Sequence, residues 1–302
     1  MAELNTSLSR RGILAVGSVA ALSACAPTPS TPSTPTRRAT PAPSKNQPTP
    51  SPSTTPPTSS SPHTHPTRAQ ITTKYDGASP SMWGSGEDAP MPGLVQHTAS
   101  SEVVLTLDAC GGAHGSGVDV ELLDYLSAER IPAVLFLNKR WIEANRSTFD
   151  QIASKPELFE IGNHGTRHVP LSVTGRKQYG ITGTRNPGEV FDEVMGNHAL
   201  LTKLLGTPPR YFRTGTAWYD DVALRIVRDC EEIPVGFDVN ADAGATFRTH
   251  EVVDALRNAR AGSIIIGHCN QPGGDTFEGF SQALPQLRAA GLEFTKLSDA
   301  LP

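Results

Sequence analysis

His164 and His168 are the first residues whose type and spacing suggest chemistry. A separation of four places two imidazoles on one face of a helical turn, where both reach a single metal ion. Gly162 and Asn163 precede them and mark the end of an apolar run. Other titratable groups follow apolar runs in the same way. Asp108 ends the run Glu102–Asp108 with Cys110 and His114 beyond it, Arg213 comes after Arg210–Phe212, and His268 and Cys269 follow Ser263–Gly267. Asp238, Asn240 and Asp242 close a further run from Val235. A metal, a carboxylate and an imidazole gathered at one rim would suit hydrolysis by an activated water.

The elements that must position these groups alternate strand and helix. Glu102–Asp108, Pro132–Leu137, Phe159–Ile161, Arg210–Phe212, Val235–Val239, Ser263–Gly267 and Leu292–Thr295 have strand character. Between them, Val118–Glu129, Arg140–Ile152, Glu189–Leu205, Asp220–Cys230, His250–Arg260 and Gln282–Ala290 carry helical periodicity. Such alternation with buried strands predicts an α/β fold built on a parallel sheet. Seven strands in one domain suggest a barrel, open or incomplete. Its active residues would collect at the C-terminal strand ends, where the groups named above fall.

The charge balance of 26 basic and 30 acidic residues is unevenly spread. Residues 1–69 hold six bases and one acid, leaving 20 bases and 29 acids, a net of −9, for the folded remainder. An acidic domain repels phosphate backbones, so nucleic acid is not expected as a partner. The absence of repeats and of long apolar runs excludes collagen, coiled coil and a multi-pass membrane protein.

Residues 1–24 read as an export signal. Arg10 and Arg11, in a twin-arginine-like context, precede the short apolar run Ile13–Leu22. Leu22-Ser23-Ala24-Cys25 is similar to a lipobox, which would make Cys25 a lipidated N-terminus anchored in the membrane. Residues 25–69 form a Pro/Ser/Thr-rich tether expected to be disordered, with 13 prolines between Ala26 and Ala69. His63 and His65 lie in that tether and are read as incidental. Residues 70–101 are a lead-in of unassigned role, and 102–302 are the expected catalytic domain. The expected location is extracytoplasmic, and the expected state a monomer.

Thr106-Leu107-Asp108, Gly162-Asn163-His164 with His168, Phe212-Arg213 and Ile264–His268 occur in order on this frame. In that order and spacing the chain resembles the polysaccharide deacetylase (NodB-homology) family. The resemblance implies a distorted (β/α) barrel of about seven strands and a divalent metal, expected to be Zn2+. It also implies hydrolysis of acetyl groups from an N-acetylated polysaccharide such as peptidoglycan. Asp108 resembles the family's catalytic base, His268 its general acid, and Arg213 the residue that orients the base. Metal ligands would be His164, His168 and a carboxylate. The blander alternatives are a turn carboxylate at Asp108, a satisfied strand-end histidine at His268 and an ordinary ion pair at Arg213.

The first motif departs from the family pattern, which has two adjacent aspartates there with the second as ligand. Here the second is Ala109. Asp108 could ligate instead, leaving the base role to a group such as Asp242. His114 could reach in, or the site could be completed by water. Asp108 as ligand is the favoured expectation. Asp242 could instead support Arg213 or the site water, or with Asp238 merely cap a loop. Cys110 and Cys269 flank catalytic positions on strands that approach one another in a barrel, so a Cys110–Cys269 disulfide is expected. The rival is Cys110 as a thiolate ligand in place of the lost aspartate. Cys230 reads as a buried free thiol. The substitution at Ala109 also supports a degenerate glycan-binding lipoprotein, and hydrolysis of another acyl or amide group is a further alternative.

Overall fold

The structure is a computed structural model that describes residues 65–87 and 89–302. The export signal, Cys25 and the tether up to residue 64 lie outside the described residues. The described residues cross the expected boundary at residue 70. Helix α1 (Arg68–Lys74) is closed by a capping box, Thr67 accepting from the Gln70 amide. His65, read as incidental, is packed: its ring meets the His198 ring edge-on at 4.6 Å, and its Nδ1 lies 3.5 Å from Glu231.

The framework is a curled parallel sheet. Its strands are β1 (Val103–Ala109), β2 (Ala133–Leu137), β3 (Phe159–Asn163), β4 (Tyr211–Phe212), β5 (Ile233–Pro234), β6 (Val239–Asn240) and β7 (Ile264–His268). They lie in the order β6-β7-β1-β2-β3-β4-β5, and the short β8 (Phe294–Thr295) also pairs β1. Helices cover the outside, among them α2 (Val120–Ala128), α3 (Lys139–Ala144), α4 (Arg146–Ala153) and α5 (Pro187–Leu205). This is the distorted (β/α) barrel expected from the sequence.

Strand β1 is buried on both faces and sets the logic of the site. Leu105, Leu107 and Ala109 pack outward in the cluster beneath the helices, whereas Val104 belongs to the cluster inside the curl. Thr106 and Asp108 share that inner face, where both bond Arg213. The two-residue alternation of a strand therefore turns Ala109 into the core and the flanking positions toward the barrel interior.

Two elements differ from expectation for local reasons. The predicted strand Val235–Val239 falls mostly in the gap between β5 and β6, with only Val239 in a strand. The carbonyls of Val235 and Gly236, which a ladder would use, accept from Arg213 Nε and Nη2 at 3.3 and 2.8 Å. The lead-in fills this gap: Val95 O accepts from Gly236 N at 2.7 Å, and Thr98 N donates to Gly262 O at 2.8 Å. The predicted helix Arg140–Ile152 breaks at Asn145, whose amide donates to Ser116 O and Trp141 O at 3.0 and 3.1 Å.

Candidate metal and acid–base site

Asp108 ends the inner face of β1 beside His268 at the end of β7, the two being paired in register. Arg213 lies across the interior just below them and is fully buried. Its Nη1 donates to Asp108 Oδ1 at 2.8 Å and to Thr106 Oγ1 at 2.7 Å, and its guanidinium lies 4.4 Å from the Phe136 ring centroid. Gly162 makes room for that ring, since a Cβ there would come within 2.6 Å of it. Asp108 Oδ2 remains 3.5 Å from His164 Nε2. Burial pushes the Asp108 carboxyl up, but His164, Arg213 and His268 outweigh it and hold the group below its ordinary value.

His268 is held by Asp242, which is completely buried. His268 Nδ1 lies 2.8 Å from Asp242 Oδ1, and the His268 amide donates to Oδ2 at 2.7 Å. Thr276 Oγ1 donates to Oδ2 at 2.9 Å. Burial lowers the His268 pKa, yet the charge and hydrogen bond of Asp242 raise it well above the ordinary histidine value, with Cys110 adding to the rise. Asp242 therefore supports His268 rather than Arg213, and its engaged, buried oxygens exclude it as a solvent-facing base. Asp238 caps β7: its carboxylate accepts from the Ile264 amide at 2.8 Å and from Ser263 Oγ at 3.1 Å.

His164 and His168 converge, with ring centroids 4.9 Å apart. No helical turn brings them together. The segment is a loop in which Gly165 and His168 take φ of +75° and +60°. Such backbone at a non-glycine residue persists only where its surroundings hold it. Glu193 Oε1 accepts from the amides of Thr166, Arg167 and His168 at 3.1, 2.8 and 2.9 Å. From below, Asn138 Nδ2 donates to the carbonyls of His164 and Gly165 at 2.9 and 2.8 Å. Asn163 Oδ1 accepts from the Gly165 amide at 2.9 Å. His164 Nδ1 lies 2.8 Å from Arg213 O, so Nδ1–H donates to the carbonyl and Nε2 keeps a lone pair free to bind a metal.

Among the described residues, the group able to hold a metal is Cys110, His164 and His168, whose ligand atoms all lie within 4.8 Å of one another. Cys110 Sγ is 3.9 Å from His164 Nε2. Asp108, expected as the third ligand, stands beside this group with one oxygen committed to Arg213. His114 lines the outer cavity and does not join it. The expected Cys110–Cys269 disulfide is absent, both thiols being free. Cys269 turns into the core beside Ala109, with its sulfur 3.8 Å from Asp108 O, whereas Cys110 faces the imidazoles. Cys230 is free and buried, as expected, and burial pushes its thiol up to about 12.

All of this opens onto one cavity of about 710 Å³, lined by Asp108, Cys110, His168 and His268. Arg140 and Arg167 stand on its wall, and Tyr179, 70% exposed, is at its edge. Sequence reasoning missed Glu193 and Asn138. For Glu193 the signal was present: with Asn197 it shares the inward helical stripe of Val190, Val194 and Leu201, where a polar residue needs a partner.

Residues 96–232 match the model of the polysaccharide deacetylase family. No curated protein matches the chain. Among solved structures, a CE4 family pseudoenzyme from Bacillus anthracis is 19% identical, with a TM-score of 0.57 over 68% of this chain and 67% of that one. The Bc1960 peptidoglycan N-acetylglucosamine deacetylase is 21% identical, with a TM-score of 0.58 over 69% and 92%. A family 4 acetyl xylan esterase from Clostridium thermocellum, solved with cobalt, is 23% identical, with a TM-score of 0.53 over 66% and 89%.

Proposed function

We propose that the barrel is a polysaccharide deacetylase domain and that the chain is a metal-dependent hydrolase removing acetyl groups from an N-acetylated envelope glycan. One observation carries the proposal. Two buried charge pairs, Asp108–Arg213 and Asp242–His268, present a base and an acid to the same cavity as a convergent set of metal-ligand atoms.

The donor set suits a divalent ion such as Zn2+: two imidazoles, one with its tautomer fixed by a backbone carbonyl, and a thiol, all on one wall. An ion held there supplies Lewis acidity at the scissile carbonyl and acidifies the attacking water. Arg213 fixes one Asp108 oxygen and keeps the carboxylate ionised, so the other oxygen takes the proton of that water. Asp242 keeps the His268 imidazolium charged and aimed, and His268 returns a proton to the leaving amine. Tyr179 at the cavity edge offers an exposed ring for the apolar face of a sugar. The lipobox-like Cys25 and the tether that follows support placement of the chain at the outer face of a membrane, within reach of wall polymer.

The test is acetate release from N-acetylated glycan by the full chain. Release that stops on chelation and returns with zinc is the expected result. No release with zinc present would leave a glycan-binding barrel without hydrolysis. Asp108 and His268 each sit in a buried pair that holds it charged, an arrangement that binding alone does not require.

A further inference from the structure

Resting on the hydrolase assignment above, we infer that Cys110 is the third protein ligand of the metal, giving a Cys-His-His centre with a sulfur–metal bond. The position beside the base does not carry the ligand in this chain. Ala109 is turned outward and packed with Leu105, Leu107 and Cys269, so a side chain there enters the apolar layer under the helices. The next residue returns to the inner side. Cys110 is half-buried and lines the cavity. Gly111 follows it with φ +72°, and a Cβ there would come within 2.6 Å of the Trp141 amide nitrogen. The chain therefore turns sharply against α3 just after the thiol.

The distances suit ligation. A tetrahedral zinc with bonds of ~2.3 Å to sulfur and ~2.0 Å to nitrogen separates those two atoms by ~3.5 Å. Cys110 Sγ and His164 Nε2 are 3.9 Å apart, so a few tenths of an ångström close the site. A ring nitrogen of His168 lies within 4.8 Å of both. Three protein ligands leave a fourth position facing the cavity, the arrangement of catalytic rather than structural zinc. A cysteine nucleophile would need a single base beside it. Two further imidazoles converging on the sulfur are what a ligand set requires. Asp108, its Oδ1 held by Arg213, is thereby left to act as base.

The test is the absorption spectrum of the full chain loaded with cobalt, beside Cys110→Ser and Cys110→Asp. Far-ultraviolet circular dichroism would establish that each variant folds, and acetate release would be measured on the same samples. The native chain should bind one cobalt ion and show an intense near-ultraviolet sulfur-to-cobalt charge-transfer band. Cys110→Ser should lose the band and bind cobalt at least ~10-fold more weakly, a loss that even outer-shell partners produce. Cys110→Asp should restore the ion without the band. Cobalt bound equally well and without the band by the native chain and Cys110→Ser would overturn the inference. Acetate release in that case would leave the hydrolase standing. A band without acetate release from any zinc-loaded sample would do the reverse, keeping the Cys-His-His centre and removing the hydrolase.

Discussion

The two walls of the cavity are built differently. Asp108, Arg213 and His268 sit at or just beyond strand ends, on regular backbone, and are fixed by two buried charge pairs, Asp108–Arg213 and His268–Asp242. Cys110, His164 and His168 stand on loops, each beside or at positive φ, and the two histidines are fixed by side chains that tie down their backbone. The acid–base wall thus stores its precision in electrostatics, and the metal wall in hydrogen bonds to main-chain groups. The two walls should fail differently when damaged.

The largest effect is expected at the centre of the acid–base wall. Arg213→Met leaves the Asp108 carboxylate buried without its partner, and removing one member of such a pair typically costs about 3–5 kcal/mol. Urea unfolding should show that loss. A loss under ~1 kcal/mol would mean that solvent or the neighbouring histidines already satisfy Asp108.

Next comes the metal wall. Glu193→Ala removes the acceptor for three consecutive amides around His168. Metal affinity should fall roughly 10–100-fold, as for outer-shell partners generally. Glu193→Gln keeps a carbonyl oxygen and should fall less. Competition against a chromogenic chelator would measure both, and equal affinity in all three proteins would detach Glu193 from the site.

The smallest expected effect is a shift in pH dependence. Asp242 raises the His268 pKa, so the acid form survives to higher pH. In Asp242→Asn that support is gone, the pKa falls, and the alkaline limb of kcat/KM should move to lower pH. The stability that the pair contributes is present below the ordinary histidine value and is lost as pH rises through the raised one. The variant should therefore lose most of its stability relative to the native chain on the acidic side. An unmoved alkaline limb would assign it to another group.

The same contrast governs how far the sequence could be read. The barrel and the acid–base wall were legible because both follow strand periodicity: an apolar run ends, a polar residue faces inward, and Asp108, Arg213 and His268 fall into line. The metal wall was only half legible. His164 and His168 were visible by type, but their spacing suggested a helix, whereas the convergence comes from a loop held by Glu193, Asn138 and Asn163 through distant contacts. The preference for Asp108 over its rival Cys110 as third ligand has a related origin. Counting from a family pattern made Ala109 a vacated ligand position, while the alternation within β1 sends that side chain into the core and makes position 110 the one that faces the histidines. The break between β5 and β6 was hidden likewise, since only the folded chain shows that Arg213 takes the carbonyls a strand would have used.

The division of labour between the walls is tested most directly by measuring zinc content and acetate release on one preparation of Asp108→Asn. With Asp108 on the acid–base wall, the variant should keep one zinc ion per chain and release acetate at least ~100-fold more slowly, the scale of general-base catalysis. Loss of the zinc together with the activity would move Asp108 onto the metal wall and contradict the account.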